Sequence, residues 1–223
     1  MRSPYFLPQL LLLILAVGLL AALVQLGILT IAFGKLGLSP GSAVLLLLAS
    51  LFGSAINLPL FSIRSEAPPA DALPPPLLRG LLRQTLPQYR GRTLIAVNAG
   101  GCLIPVWFSV YLLTRHPLPL WQPLLSVAAV AAVSHRLSRP IPGIGISMPV
   151  FVAPVCAALV AILVNPAQSA PLAYVSGTLG VLIGADLLRL HDIRRMGAPL
   201  ASIGGAGTFD GIFVAGIVAV LLA

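Results

Sequence analysis

Two aspartates, Asp186 and Asp210, are the residues in this sequence whose type and setting could do chemistry. Both lie in long apolar runs, and placing a carboxylate in hydrocarbon costs about 2.5–3.5 kcal/mol on insertion scales, so such a group indicates a functional site. Two carboxyls that face each other in a low dielectric share a proton. Such a pair can act as general acid and general base on water, or carry a proton or a cation.

The two aspartates differ in the partners that the sequence offers them. Asp186 closes the run Gly-Ala-Asp at 184–186, three residues before Arg189, so an ordinary i,i+3 ion pair is an alternative to a catalytic role. Asp210 lies inside the last apolar segment, which contains no Lys or Arg. The sequence therefore favours Asp210 as the more informative of the two.

A glycine-rich segment precedes Asp210 and contains Gly204, Gly205, Gly207 and Thr208. Each glycine costs a helix about 1 kcal/mol relative to alanine, and an irregular backbone at membrane depth is tolerated where it lines a cavity. We expect a broken or re-entrant segment that presents Asp210 near the start of the final helix. Close packing of two helices through these glycines is the alternative.

Two asparagines adjoin further helix breakers. Asn57 is followed by Leu-Pro, and Asn98 by Ala-Gly-Gly. Interhelical hydrogen bonding is the simplest role for such amides. Broken helices also line substrate and ion pathways, so Asn57 and Asn98 are candidate pathway residues together with the glycine segment.

The composition predicts that the lipid bilayer is the main partner. Hydrophobic residues make up 58% of the chain and charged residues 8%, against about 25% charged in a soluble domain. Basic residues are scattered between apolar runs, which argues against nucleic acid as a partner. No metal or other cofactor is expected, because the cysteines and histidines show no ligand spacing: Cys102, Cys156, His116, His135 and His191.

Seven apolar segments approach the length of about 20 residues that spans a membrane: 8–33, 41–63, 93–114, 120–135, 141–164, 171–190 and 198–223. With seven spans, all Lys and Arg except Lys35 and Arg115 fall on one side, which the positive-inside rule makes cytoplasmic. The sequence thus predicts an all-α polytopic bundle in the prokaryotic cytoplasmic (inner) membrane. Its N-terminus is cytoplasmic and its C-terminus outside.

Residues 1–223 are expected to form a single membrane domain. The longest connection, 64–92, contains three consecutive prolines and then leucines and arginines on separable faces. It is expected to be a Pro-rich cytoplasmic loop with an amphipathic segment on the membrane surface, or a flexible linker.

The runs at 184–186 and 202–213, with those at 32–40 and 57–60, resemble the prokaryotic membrane family known as domain of unknown function 1614. The resemblance covers nearly the whole chain and implies a fold and a lineage but no activity. A weaker resemblance links the two aspartates to the Gly-x-Gly-Asp intramembrane aspartyl proteases. Residues 205–207 match Gly-x-Gly, but Thr208 and Phe209 separate them from Asp210.

Three functions follow as alternatives. An intramembrane aspartyl protease would use Asp186 and Asp210 as a dyad with a shared proton. A proton- or cation-coupled transporter would use Asp210 as its ion or proton site. A non-catalytic membrane scaffold would need neither carboxyl.

Overall fold

Helices and strands alternate in the computed structural model of this protein. It describes residues 15–20, 22, 27–66, 91–141, 145–149, 151–195, 197, 200–205 and 211–223. The helices are α1 (Ile28–Lys35), α2 (Pro40–Gly53), α3 (Ile104–Arg115), α4 (Trp121–Leu137), α5 (Val152–Val164), α6 (Ser169–Val181) and α7 (Gly211–Leu222). The strands are β1 (Asn57–Arg64), β2 (Arg92–Asn98), β3 (Arg139–Ile141), β4 (Gly145–Ser147) and β5 (Leu200–Ile203).

The prediction of an all-α bundle of seven spans is wrong. Segments 41–63, 93–114 and 198–223 each divide into a strand and a helix, and the strands form sheets. Hydropathy depends on side-chain composition and not on backbone conformation, so a short apolar run has the same hydropathy in a strand as in a helix. Pro59 falls at an irregularity in the pairing of the edge strand β1, where a proline is tolerated.

One helical stretch in the described residues, Pro166–Arg189, has the length and apolar composition to cross a membrane. It has 24 residues, and 72% of its apolar window is buried inside the protein. Three further apolar helices are shorter, namely Pro40–Gly53, Ala99–Arg115 and Val152–Val164. Somewhat less than half of segment 8–33 and most of loop 64–92 lie outside the described residues.

The larger sheet has three strands in the order β1-β2-β5. Strands β1 and β2 are antiparallel, with Asn57 opposite Asn98 and Arg64 opposite Arg92. Strand β5 is parallel to β2, and Ile203 is opposite Val97. The start of β1 and the ends of β2 and β5 therefore meet at one end of the sheet. Strands β3 and β4 form a separate antiparallel pair.

Helix α6 lies at the centre of the helical part and packs against α3, α4, α5 and α7. Nearly all of its residues are buried. The fully buried Tyr174 meets Phe108 of α3 edge-on, with ring centroids 4.9 Å apart. Gly216 of α7 lies so close to α6 that an added Cβ would be 2.7 Å from Thr178 Cγ2. Close packing of this kind fixes the helices that carry the site.

A π-helix, Leu182–Asp186, and a 3₁₀ turn, Leu187–Arg189, continue α6. A second π-helix, Ala99–Leu103, joins β2 to α3. Such π-helical turns are often found at functional sites. Both of these lead to the same region, the end of the sheet at Asn57 and Asn98.

Candidate functional site

Three connections at strand ends meet at this end of the sheet, two between a helix and a strand and one between a strand and a turn. Helix α2 ends just before β1, β2 leads into the π-helix Ala99–Leu103, and β5 leads into a turn at Gly204 and Gly205. The breakers that the sequence marked at 57–59, 98–101 and 204–205 are these three junctions. We call this region the junction cluster.

Asn98 is the central side chain of the junction cluster and is 1% exposed. Its Nδ2 donates hydrogen bonds to the Ser54 carbonyl oxygen at 2.7 Å and to Asn57 Oδ1 at 3.1 Å. Its Oδ1 accepts a hydrogen bond of 2.8 Å from the Gly101 N–H and so caps the π-helix. The Asn98 amide therefore ties α2, β1 and the π-helix together.

Asn57 extends these contacts to the third strand. Its Oδ1 accepts a second hydrogen bond, of 2.6 Å, from Ser202 Oγ in β5. The Ser202 carbonyl oxygen in turn accepts a hydrogen bond from the Gly205 N–H at 3.3 Å. Sequence reasoning missed Ser202, because a lone serine before a glycine run gives no signal of its own.

The turn after β5 requires glycine. Gly204 has φ +84° and Gly205 φ +98°, both in the region that favours residues without a Cβ. A Cβ at Gly204 would also lie 2.7 Å from Cys102 Cβ and from the backbone of Gly101. The turn is thus pressed against the π-helix Ala99–Leu103.

Asp186 reaches the same turn from the end of the second π-helix. Its Oδ2 accepts a hydrogen bond of 2.7 Å from the Gly204 N–H, and the residue is partly buried. A backbone N–H that donates to a carboxylate makes a charge-assisted hydrogen bond, which is stronger than one between neutral groups. The candidate site residues Asp186 and Gly204 are therefore in direct contact.

The alternative of an Asp186–Arg189 ion pair is wrong. Arg189 Nη1 instead pairs with Asp192 Oδ2 at 3.0 Å. Arg189 Nη2 donates hydrogen bonds to the carbonyl oxygens of His135 and Ser138, at 2.6 and 2.9 Å. Within the described residues Asp186 has no cationic partner.

Helix α7 begins at Gly211 and packs against α6 and against the π-helix Ala99–Leu103. It is antiparallel to α6, because Gly216 contacts Tyr174 and Thr178 while Ser169 Oγ donates to the Ala223 carbonyl oxygen. Its first residue therefore lies toward the end of α6 that continues to Asp186. Asp210, Gly207 and Thr208 lie outside the described residues.

A sequence model of the family described as "Protein of unknown function (DUF1614)" matches residues 51–222. The chain belongs to the DUF1614 family. The family expected from the glycine and aspartate runs is therefore confirmed. No curated protein and no solved structure matches this DUF1614 chain.

Two of the three histidines of the DUF1614 protein have individual hydrogen-bond partners. His116 Nδ1 lies 2.8 Å from Gln168 Oε1, and His135 Nδ1 lies 3.3 Å from the Gly184 carbonyl oxygen. Across the described ranges, no group of three or more His, Cys, Asp or Glu side chains is arranged to hold a metal ion.

Proposed function

We propose that this protein is an aspartyl hydrolase that cleaves peptide bonds at the membrane, with Asp186 and Asp210 as a carboxyl pair sharing one proton. The observation that carries the proposal is the hydrogen bond of 2.7 Å from the Gly204 N–H to Asp186 Oδ2. It joins one aspartate to the glycine segment that leads to the other.

In the part of the chain that the structure describes, no cation is paired with Asp186, which supports an acid–base role. Arg189, the nearest basic residue in sequence, is held by Asp192 and by two carbonyl oxygens. A carboxylate neutralised by a neighbouring arginine would be a poor proton acceptor, since the opposite charge stabilises its ionised form. Asp186 Oδ1 has no hydrogen-bond partner within the described residues, which leaves it available to a water molecule.

The chain length between the two aspartates also supports the pair. Asp210 is six positions after Gly204, and six extended residues reach at most about 20 Å. Asp210 immediately precedes α7, which packs beside α6.

The proposed reaction uses one protonated and one ionised carboxyl. The ionised carboxyl takes a proton from water, whose oxygen attacks the peptide carbonyl carbon while the protonated carboxyl donates to the carbonyl oxygen. The tetrahedral intermediate then collapses. The C–N bond breaks, the amine leaves with a proton from the carboxyl that received one, and the other carboxyl regains its proton.

The location at a membrane is part of this proposal. Large apolar side chains on several helices and at their ends are exposed. Six of them are 57–82% exposed: Trp107, Leu120, Trp121, Leu124, Phe151 and Leu163. A contiguous exposed apolar surface marks a contact with lipid or with another protein. The shallow apolar groove of about 500 Å³ along α5 belongs to this surface.

The test is cleavage of single-span peptides reconstituted with the protein in phosphatidylcholine vesicles, read by mass spectrometry. Photoaffinity labelling with a hydroxyl-containing transition-state analogue is the second measurement. We expect wild-type activity and labelling to be lost in Asp186→Asn and in Asp210→Asn. Asp192→Asn is the matched control and should retain both.

Other outcomes would contradict the hydrolase. Absence of both cleavage and labelling in the wild type would overturn it, as would either Asn variant that keeps full activity. Proton or cation flux that depends on Asp210, without cleavage, would favour the transporter. Aspartate variants with no effect on any measured property would favour the scaffold.

A further inference from the structure

A second site lies at the opposite end of the sheet from the junction cluster. A pocket of about 220 Å³ opens between one face of the β1–β2 hairpin and the segment that follows α6. It is smaller than the about 300–1,000 Å³ of most small-molecule sites, so it accommodates only part of a larger ligand. Its lining residues are Phe61, Ile63, Ile95, Leu190, His191 and Arg194.

The sheet side of this pocket is apolar. Phe61 and Ile63 are two residues apart on β1 and share a face, and Phe61 is paired with Ile95 of β2. Ile95 is buried, whereas Phe61 is 52% exposed. Leu190 faces this wall from the other side. Such a slot suits a hydrocarbon chain.

The polarity changes toward the end of the strands. Ile63 is paired with Thr93, whose Oγ1 donates to Ser65 Oγ at 2.8 Å. The Glu66 N–H donates to the Arg194 carbonyl oxygen at 2.8 Å, which fixes Arg194 at this end of the hairpin. The pocket therefore passes from an apolar wall to the Arg194 guanidinium, whereas the Thr93 hydroxyl is buried and outside its lining.

The charges around the pocket favour an anion. The exposed Arg194 lines it, whereas the Arg64–Arg92 pair at the strand ends follows the Ile63–Thr93 pair and so belongs to the opposite face. Of the acidic residues nearby, Asp192 is paired with Arg189. Glu66 is exposed, and it is the one acidic side chain on the adjoining part of the hairpin that the structure describes.

We infer that this pocket binds one anionic phospholipid, with part of an acyl chain against Phe61, Ile63 and Leu190 and the phosphate at Arg194. The inference goes beyond peptide hydrolysis and rests only on the proposed contact with lipid. Its test does not involve Asp186 or Asp210, so failure of the hydrolase and failure of the lipid site are distinguishable.

The test measures lipid retention by native mass spectrometry on the full chain purified in mild detergent, with phosphatidylglycerol or phosphatidylcholine added. A basic residue at an anionic lipid surface contributes affinity of about fivefold. We expect a preference of at least about fivefold for phosphatidylglycerol, removed by Arg194→Gln. Phe61→Ser should weaken retention of both lipids.

Arg195→Gln is the matched control, because Arg195 is exposed and adjacent but does not line the pocket. It should keep the preference. If the Arg194 and Arg195 variants lost the preference for phosphatidylglycerol equally, the cause would be the net charge, and the proposed site would be overturned. So would equal retention of the two lipids, or displacement of phosphatidylglycerol by free glycerol phosphate. A thermal unfolding scan of each variant confirms that it is folded.

Discussion

The carboxylate of Asp186 and the backbone N–H of Gly204 are joined by a hydrogen bond of 2.7 Å. The contact links the end of the helical stretch Pro166–Arg189 to the turn that follows β5. A side chain in one element is thus held by the backbone of another. The carboxylate and the glycine turn can therefore be changed by separate substitutions.

Substitutions of Asp186 are expected to separate stability from chemistry. Asp186→Asn keeps an oxygen that can accept from the Gly204 N–H, so its unfolding free energy should stay near that of the wild type. Asp186→Ala leaves the N–H without this acceptor and should lower stability by about 1–3 kcal/mol. Denaturant titration in detergent micelles measures both. Asp192→Ala, which breaks a pair with partly exposed side chains, should cost less than about 1 kcal/mol; equal effects at the two positions would contradict this interpretation.

Gly204→Ala should destabilise the protein by at least about 1–2 kcal/mol, the cost of a side chain in the left-handed region. The contact with Cys102 adds to this cost. Gly34→Ala is the control, because a Cβ at this helical glycine meets nothing within 4 Å. That control should raise stability by about 0.5–1 kcal/mol. Similar unfolding midpoints for the two variants would show that the turn at Gly204 does not require glycine.

Asn98→Ala is expected to be more damaging than Asn57→Ala. The buried Asn98 makes three hydrogen bonds, to Ser54, Asn57 and Gly101. Its removal leaves buried backbone groups unpaired, at a cost on the order of 3 kcal/mol. Asn57 is partly exposed, so water can replace its contacts. Hydrogen exchange of the β1–β2 amides would show which variant opens the sheet, and the reverse order would be evidence against a central role for Asn98.

Tryptophan fluorescence tests the contact with lipid. The chain has two tryptophans, and Trp107 and Trp121 are 64% and 57% exposed. In vesicles of brominated phosphatidylcholine, the fluorescence of both tryptophans should be strongly quenched compared with vesicles of unbrominated lipid. The variant Trp107→Phe leaves only the signal of Trp121 in α4, and Trp121→Phe leaves only that of Trp107 in α3. Emission that is unquenched by bromine but sensitive to aqueous iodide would argue that these faces meet water.

The sequence predicts where the apolar runs are interrupted, but it does not predict that a strand lies on one side of each interruption. Asn57 and Asn98 each adjoin a helix breaker in the sequence and lie where a strand meets a helix, and Gly204 lies in the turn that follows β5. Hydropathy could not distinguish a strand of seven or eight residues with an apolar middle from part of a spanning helix. The Thr, Ile and Val of β2 favour a strand, and they were the one local signal available.

The partner of Arg189 shows a similar limit. Asp186 and Asp192 lie three residues to either side of it, so sequence spacing favours either carboxylate equally. The chain continues from the π-helix into 3₁₀ turns here, and the pair forms with Asp192. Because the helical period is not regular through this segment, spacing rules for a straight α-helix did not apply.

The parallel pairing of β5 with β2 has a consequence for biosynthesis. Leu200 is opposite Leu94, so more than a hundred residues, including α3 to α6, separate the two strands in the chain. Contacts between such distant segments form late, since the intervening loop must close first. During translation, the hairpin β1–β2 and helix α6 can form before β5 has been synthesised. The contact of Asp186 with Gly204 would then be among the last made, so a nascent chain would lack this link between α6 and the sheet until β5 has been synthesised.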